Sequence, residues 1–240
     1  MKTRTILLIL MIPALLLTVG SCSKEKKAPL LPSITGKAGE VEIVSSKARW
    51  ESEVGNAVRT VLQAEYPFTP QKEPKYRIYN VPPEGFVNFF RSHRNVLYIH
   101  IADTCGQKVV VSKDVWAAPQ TMVTVYAPDE QSAIDLILAK DEFICEAFED
   151  AERERVIINA KKFENGGLGQ VVRNVFGGAP YFPSNYTLKK EADDFMWISY
   201  ETTYTTQGVF IYRFPYTGEE QFTREALVAK RNEGMKENVP

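Results

Sequence analysis

Three side chains that lie close together in the sequence have the types that nucleophilic catalysis uses. His100, Asp103 and Cys105 would supply a base, an orienting carboxylate and a thiol that needs a nearby base to stabilise its thiolate. No catalytic motif surrounds them, and a histidine that alternates with apolar neighbours on a strand is typical of a structural residue. We therefore expect no catalytic residue here, and a hydrolase is the least favoured of three functions.

The other short motifs do not predict an enzyme, a metal site or a cofactor. Residues 103–106 (DTCG) differ from the Asp-Thr-Gly of aspartic proteases by the inserted cysteine. Residues 165–169 (NGGLG) follow a predicted helix rather than a strand and lack the lysine of a phosphate-binding loop. The sequence contains no C-x-x-C or other metal-ligand spacing. We therefore predict no bound metal and no cofactor.

A dense group of aromatic residues between residues 181 and 216 is a candidate ligand-binding surface. Exposed aromatic rings can stack on sugars or pack against partner chains. The alternative is that these rings pack a sheet against its helices. The candidates for ligand contact are Tyr181, Tyr186, Tyr200 and Tyr204.

The N-terminal residues have the pattern of an export signal. A short basic region precedes an apolar run over residues 6–19, which is too short to cross a bilayer core of about 30 Å as a helix. The run ends in VGSC, residues 19–22, and small residues directly before a cysteine resemble the lipobox of bacterial lipoproteins. The resemblance implies that residues 1–21 are a signal peptide and that Cys22 carries the lipid anchor.

The segment that follows Cys22 and the net charge of the chain indicate where the protein is located and what it binds. Residues 22–39 are polar and contain prolines and glycines, which predicts a lipidated flexible tether. The tether does not resemble the acidic run of surface-displayed lipoproteins, and this comparison favours the periplasmic side; the expected location is the outer membrane, facing the periplasm. The net charge of −1 argues against nucleic-acid binding. The expected partners are the membrane, through the lipid anchor, and another envelope protein.

Cys105 and Cys145 are the cysteines that follow Cys22 in the sequence. An exported protein can join them in a disulfide bond. Cys105 lies in a predicted turn and Cys145 in a predicted helix, and nothing in the sequence indicates that they meet. The sequence favours two free thiols and leaves the disulfide as the alternative.

Residues 40–240 are predicted to form an α+β domain, as one unit or as two packed halves. Apolar residues with a period of two predict strands, and three-to-four spacing predicts helices. Strands are predicted at residues 40–44, 76–81, 95–101, 108–113, 121–126, 194–201 and 208–214, and helices at 50–64, 130–163, 170–176 and 223–238. This order favours a largely antiparallel or mixed sheet with helices packed on one face.

Local signals predict several boundaries within this domain. Asp129 and Thr223 have side chains that can cap the helices following them. The long helix is expected to bend near residues 140–141, and residues 202–207 are expected to join two strands of a hairpin. A proline pair at residues 82–83 is expected to open a short helix. The apolar face of that short helix would be Phe86, Phe89 and Phe90.

Several of these segments resemble a known protein family. The segments are residues 50–59 (WESEVGNAVR), 73–74, 81–83 (VPP), 93–95 (HRN), 113–120 (KDVWAAPQ) and 195–198 (FMWI). They resemble a Bacteroidota lipoprotein family known as domain of unknown function 4837, over nearly all of the chain after the signal peptide. The resemblance implies a Gram-negative envelope and no assigned activity, cofactor or catalytic residue. It also implies that this chain is a shorter member or lacks a C-terminal segment.

Taken together, the sequence predicts a membrane-anchored envelope lipoprotein that works through protein–protein contacts. The alternative is a glycan-binding or small-ligand-binding lipoprotein that uses the aromatic surface. Neither function requires a catalytic group, and both are compatible with a near-neutral charge.

Overall fold

The structure, a computed structural model, describes residues 30–67 and 69–239. The predicted signal peptide and Cys22 lie outside the described residues. The chain divides into two units, Met1–Pro32 and Ser33–Pro240, and every element described below belongs to the second. Within the two described ranges, none of the helices is both long enough and apolar enough to cross a bilayer.

Strands and helices alternate in the mixed order expected of an α+β protein. The strands are β1 (Glu40–Val44), β2 (Arg77–Val81), β3 (Asn95–Ile101), β4 (Lys108–Lys113), β5 (Thr121–Ala127), β6 (Thr187–Glu191), β7 (Phe195–Glu201) and β8 (Thr206–Tyr212). The α-helices are α1 (Lys47–Trp50), α2 (Glu53–Leu62), α3 (Glu130–Ala139), α4 (Asp141–Lys162), α5 (Gly166–Phe176) and α6 (Arg224–Asn238). Three-residue to four-residue 3₁₀ turns occupy Pro83–Gly85, Phe90–Ser92 and Glu219–Phe222. The predicted α+β class is confirmed.

The larger sheet is mixed, with the strand order β2-β1-β3-β5-β4. The pairs β1–β2, β1–β3 and β3–β5 are parallel, and β4 pairs antiparallel with β5. The turn near residue 105 therefore does not join two neighbouring strands, because β5 lies between β3 and β4. Of the two predicted sheet types, the mixed one describes this sheet.

Helices pack on one face of the larger sheet, as predicted. Val41 and Ile43 point to this face and join a core that includes Val58, Ile137 and Phe148 from α2, α3 and α4. Because side chains alternate along a strand, Glu40, Glu42 and Val44 point to the opposite face. Within the described part of the chain, that face is covered by the 3₁₀ segment, residues 82–93, whose Phe86 packs on Val44, Val81 and Val96.

The predicted helix boundaries are explained by capping contacts. The Asp129 carboxylate accepts a hydrogen bond of 2.8 Å from the Ser132 N–H, and Thr223 caps α6 through the Ala226 N–H. The predicted bend falls at Lys140, between α3 and α4. The predicted helix over residues 50–64 corresponds to α2, which begins at Glu53 because Ser52 caps it, and Trp50 belongs to the separate short helix α1.

The smaller sheet is an antiparallel meander with the order β6-β7-β8. The predicted hairpin is confirmed as β7 and β8, which pair from Phe195–Tyr212 to Glu201–Thr206. Met196 and Ile198 on β7 pack against Leu168 and Val172 of α5.

The last residues of the predicted tether contact the domain. Ser33 pairs with Ala118 and Thr35 pairs with His93, and the Thr35 N–H donates to the Ser92 carbonyl at 2.8 Å. The ordered part of the chain therefore includes residues 33–39, ahead of the boundary predicted at residue 40.

Candidate functional site

A cleft of about 410 Å³ opens on the face of the larger sheet that the 3₁₀ segment partly covers. Its floor is formed by β1 and β2, and its walls by residue 36 and the 3₁₀ segment. Most of its surface is apolar, but four titratable side chains line it. The lining includes Gly36, Glu40, Glu42, Tyr79, Phe89, Phe90 and His93.

Glu42 lies at the floor of the cleft and is the most unusual group in it. Its residue is 3% exposed, and its neighbours on the flanking strands are Tyr79 and Val96. The Oε1 atom of Glu42 is buried and has no hydrogen-bond partner among the described residues. Burial disfavours the charged carboxylate and raises the pKa of Glu42 to about 7. A buried carboxyl group of this kind is uncommon, because buried polar atoms are nearly always paired.

Glu40 lies two residues earlier on the same face of the sheet, and both of its carboxylate oxygens accept hydrogen bonds. The backbone N–H of Lys37 donates to Oε2 at 2.7 Å, and the Tyr79 hydroxyl donates to Oε1 at 3.3 Å. The Lys37 hydrogen bond is the main cause that lowers the pKa of Glu40 below its ordinary value. Glu40 is therefore a paired carboxylate, whereas Glu42 exchanges its proton near neutral pH.

His93 presents a hydrogen-bond acceptor to the cleft. Its Nδ1 lies 3.0 Å from the Asn95 carbonyl oxygen, so Nδ1–H is the donor and Nε2 is left without the proton. Burial lowers the pKa of His93, which favours this neutral ring. The Nε2 atom lies 3.9 Å from Oε2 of Glu40, which is beyond hydrogen-bond distance.

The position of His93 depends on two close contacts. A Cβ atom on Gly36, whose φ is +84°, would lie 2.4 Å from the His93 Nε2, so only glycine fits against the ring. On the other side, the buried Gln120 side chain donates to the carbonyl oxygens of Arg91 and His93 at 2.6 and 2.8 Å. These contacts hold the 3₁₀ segment and the imidazole in place.

A buried polar network connects the cleft to α4. Asn95 donates to the Glu40 carbonyl at 3.0 Å and to the Glu152 carboxylate at 2.8 Å. Arg155 donates to the Asn95 side chain at 2.9 Å and to the Arg94 carbonyl at 2.8 Å. Glu152 also pairs with Arg94 at 2.7 Å. The network anchors the start of β3, directly beside His93, to the helical layer.

The rim of the cleft carries exposed aromatic rings. Phe89 is 65% exposed, Phe90 is 42% exposed, and the two rings meet edge to face at 5.8 Å. The predicted helix with Phe86, Phe89 and Phe90 on one face is wrong, because Asn88 adopts a φ of +44° between the two 3₁₀ turns. Only Phe86 is buried, and the other two rings face solvent at the cleft mouth.

The structure does not assemble the residues considered for nucleophilic catalysis. No hydrogen bond joins His100 to Asp103 or Cys105, all of which the structure describes. His100 is exposed and packs edge to face on Tyr126 at 5.5 Å. Cys105 and Cys145 are free, so the disulfide alternative is not formed. Among the described residues, no group of three or more His, Cys, Asp or Glu side chains is arranged to hold a metal ion.

The four tyrosines considered for ligand contact differ in their solvent exposure. Tyr186 and Tyr200 are half-buried and pack on each other at 5.8 Å, and the Tyr186 hydroxyl donates to Gln207 at 2.7 Å. Tyr204 lies in the turn between β7 and β8 and is 93% exposed, and Tyr181 is 48% exposed beneath the Lys161 ammonium group. Tyr181 and Tyr204 are therefore available for stacking, whereas Tyr186 and Tyr200 contribute to packing.

Sequence reasoning missed Glu40 and Glu42 as site residues. Their alternation with Val41 and Ile43 is also the pattern of an ordinary surface strand. A strand in the middle of a parallel sheet is buried on both faces, so a carboxylate there would have been informative. The parallel pairing that makes β1 a central strand is not visible in the local sequence.

Comparison with known proteins gives two family matches. Residues 34–161 match the family described as Domain of unknown function (DUF8532), and residues 168–240 match Domain of unknown function (DUF4837). The ranges follow the two sheets, because the first holds β1–β5 and the second β6–β8. No curated protein and no solved structure matches the chain.

The matches correct the extent of the resemblance drawn from the sequence. The family DUF4837 covers the C-terminal range only, and of the segments that suggested it, only residues 195–198 lie in that range. The remaining segments, from residue 50 to residue 120, lie in the range of the other family. All of the cleft residues also lie there.

Proposed function

The chain belongs to the family of domain of unknown function DUF8532, and from the geometry of its cleft we propose that it is a lipid-anchored binding protein of the bacterial envelope. The ligand group that this cleft fits is an organic cation, an ammonium or guanidinium group on an apolar stem. The observation that carries the proposal is the buried, unpartnered Oε1 of Glu42 in an otherwise apolar cleft.

The chemistry of the lining favours a ligand that donates hydrogen bonds. Glu42 Oε1 and His93 Nε2 are acceptors, and Glu40 is a carboxylate held by its own donors. A cation near Glu42 would offset the cost of burying a charged carboxylate, which is large when the charge is unpaired. The exposed rings at the rim would pack against the apolar stem of the ligand.

Two sources can supply such a group. One is a lysine or arginine side chain of an envelope protein, which corresponds to the protein–protein contact predicted from the sequence. The other is a free small amine. The exposed Phe89 and Phe90 rings favour the protein source, because aromatic residues are enriched at protein interfaces.

Hexylammonium chloride is a suitable probe of the cleft, and calorimetry of the mature protein is the measurement. We expect binding that is at least tenfold tighter than for neutral hexanol and that weakens as the pH falls below 7, where Glu42 holds its proton. Glu42→Gln should reduce the affinity at least tenfold, because it removes the charge that the cation meets.

Glu84→Gln is the matched control, since Glu84 is an exposed carboxylate on the neighbouring 3₁₀ turn. It should bind the probe as the wild type does. Equal loss in both variants, or equal affinity for hexylammonium and hexanol, would contradict the proposal. A carbodiimide, which couples carboxylates to primary amines, then tests for a partner's lysine. A protein adduct in membranes that requires Glu42 indicates a partner's lysine, and the lack of one indicates a partner's arginine or a free small amine.

The lipid anchor is proposed at Cys22 on the strength of the residues that precede it. Cleavage and acylation there would place the domain in the cell envelope, at the outer membrane facing the periplasm. Labelled fatty acid should be incorporated into the wild type and into Cys105→Ala, and not into Cys22→Ala. Label retained in Cys22→Ala would contradict the anchor.

A further inference from the structure

A second groove, of about 380 Å³, lies between the N-terminal residues of the domain and the second half of α4. Its apolar surface comes from Ile34 and Ala38 on one side and from Val156 and Ile158 on the other. It is distinct from the cleft, because α4 lies on the helical face of the sheet and the cleft lies on the opposite face.

The second half of α4 exposes more apolar surface than a solvated helix requires. Val156 is 66% exposed, Ile157 is 44% exposed and Ile158 is 51% exposed. Three consecutive branched apolar residues cover more than half of the circumference of a helix, since successive residues are about 100° apart. A continuous apolar patch of this kind marks a surface that contacts a membrane or another molecule.

Basic groups outnumber acidic groups along the same groove. Arg94, Arg155 and Lys162 line it, and the carboxylate of Glu152 pairs with both guanidinium groups. The groove therefore has a surplus of positive charge, which matches an anionic group such as a phosphate.

The start of the domain brings this groove close to the proposed anchor. Ser33 and Thr35 are held by strand-like pairing to Ala118 and His93, so the chain enters the domain beside Ile34. The segment between Cys22 and Ser33 spans at most about 40 Å when fully extended. An acylated Cys22 would thus keep Ile34 within that distance of the lipid surface.

We propose that this groove docks on the anionic lipid surface to which the protein is anchored. Val156 and Ile158 contact the acyl region, and Lys162 and Arg94 contact the headgroup phosphates. The docking rests on the proposed lipid anchor. It would orient the domain so that the second half of α4 faces the bilayer and the cleft of Glu42, on the other face of the sheet, faces away from it.

The test uses the acylated protein in vesicles of phosphatidylethanolamine and phosphatidylglycerol whose acyl chains carry bromine, which quenches tryptophan fluorescence on contact. Ile158→Trp adds a probe to the groove, and Val87→Trp adds one to the opposite face at a similarly exposed position. The native residues Trp50, Trp116 and Trp197 give the same background in both variants. We expect the emission added by Ile158→Trp to be roughly halved and that added by Val87→Trp to be unchanged.

Headgroup charge gives the second readout. Adding Lys162→Glu to Ile158→Trp should restore most of the tryptophan emission that the brominated lipids quench. Replacing the lipids by brominated phosphatidylcholine alone should have the same effect. Equal quenching at both positions, or none at residue 158 in an acylated protein, would overturn the docking. Mass spectrometry of the same samples reports the acyl group on Cys22, so an unmodified chain identifies a failure of the anchor and removes the docking with it.

Discussion

Glu42→Gln is expected to stabilise the protein above pH 7, by about 3 kcal/mol of unfolding free energy relative to the wild type. Burial raises the pKa of Glu42 from 4.5 to about 7, so between these values the folded wild type binds a proton that the unfolded chain releases. The wild-type free energy of unfolding therefore falls as the pH rises from about 4.5 to 7. Glutamine does not titrate, so the two proteins differ in stability above pH 4.5, and this difference disappears below pH 4.5.

The measurement is urea unfolding of both proteins at pH values from 4 to 8. Glu84→Gln, which removes an exposed carboxylate, is expected to stay within about 0.5 kcal/mol of the wild type throughout. A gain in stability together with a loss of cation binding is typical of a functional residue that is retained at a cost to the fold. A Glu42→Gln variant that is less stable at pH 8 than the wild type would contradict this assignment.

Arg155→Met is expected to destabilise the protein by about 3–5 kcal/mol. The Arg155 guanidinium donates to the carbonyl oxygens of Pro119 and Arg94 and to the Asn95 side chain, and pairs with Glu152 at 3.1 Å. Methionine fills similar space but leaves these buried acceptors unpaired. Because the same network holds the start of β3 beside His93, cation binding in the cleft should weaken as well.

Arg153→Met provides the control for this prediction. Arg153 is on the same helix and pairs with Asp150 at 3.0 Å, but both side chains are largely exposed. Exposed pairs contribute little, so the change should be below about 1 kcal/mol in the same unfolding experiment. A loss for Arg155→Met no larger than that for Arg153→Met would show that the network does not hold α4 to the sheet.

Local interactions explain which parts of the fold could be predicted from the sequence. Asp129 and Thr223 cap their helices through contacts three residues away, and the hairpin of β7 and β8 depends on a short polar turn. Signals of this range are present in the sequence itself. The pairing of β3 with β5 depends on segments 20 or more residues apart in the chain, and it could not be predicted locally.

The candidate site was not predicted for the same reason. The cleft exists because β1 lies between β2 and β3 and because the 3₁₀ segment folds over the face of β1 that carries Glu42. Neither contact leaves a periodic pattern in the sequence. His93 enters the sequence analysis only within the segment 93–95 that carries the family resemblance, and its place at the cleft depends on packing against Gly36, 57 residues earlier in the chain.

The most direct test of the binding cleft is the titration of the Glu42 carboxyl carbon by NMR, in the free protein and with hexylammonium added. We expect a pKa of about 7 in the free protein and a clear decrease when the cation is bound, because the cation stabilises the carboxylate. A Glu42 that titrates near 4.5 in the free protein, or whose titration does not change with saturating hexylammonium, would show that the cleft is not a cation-binding site.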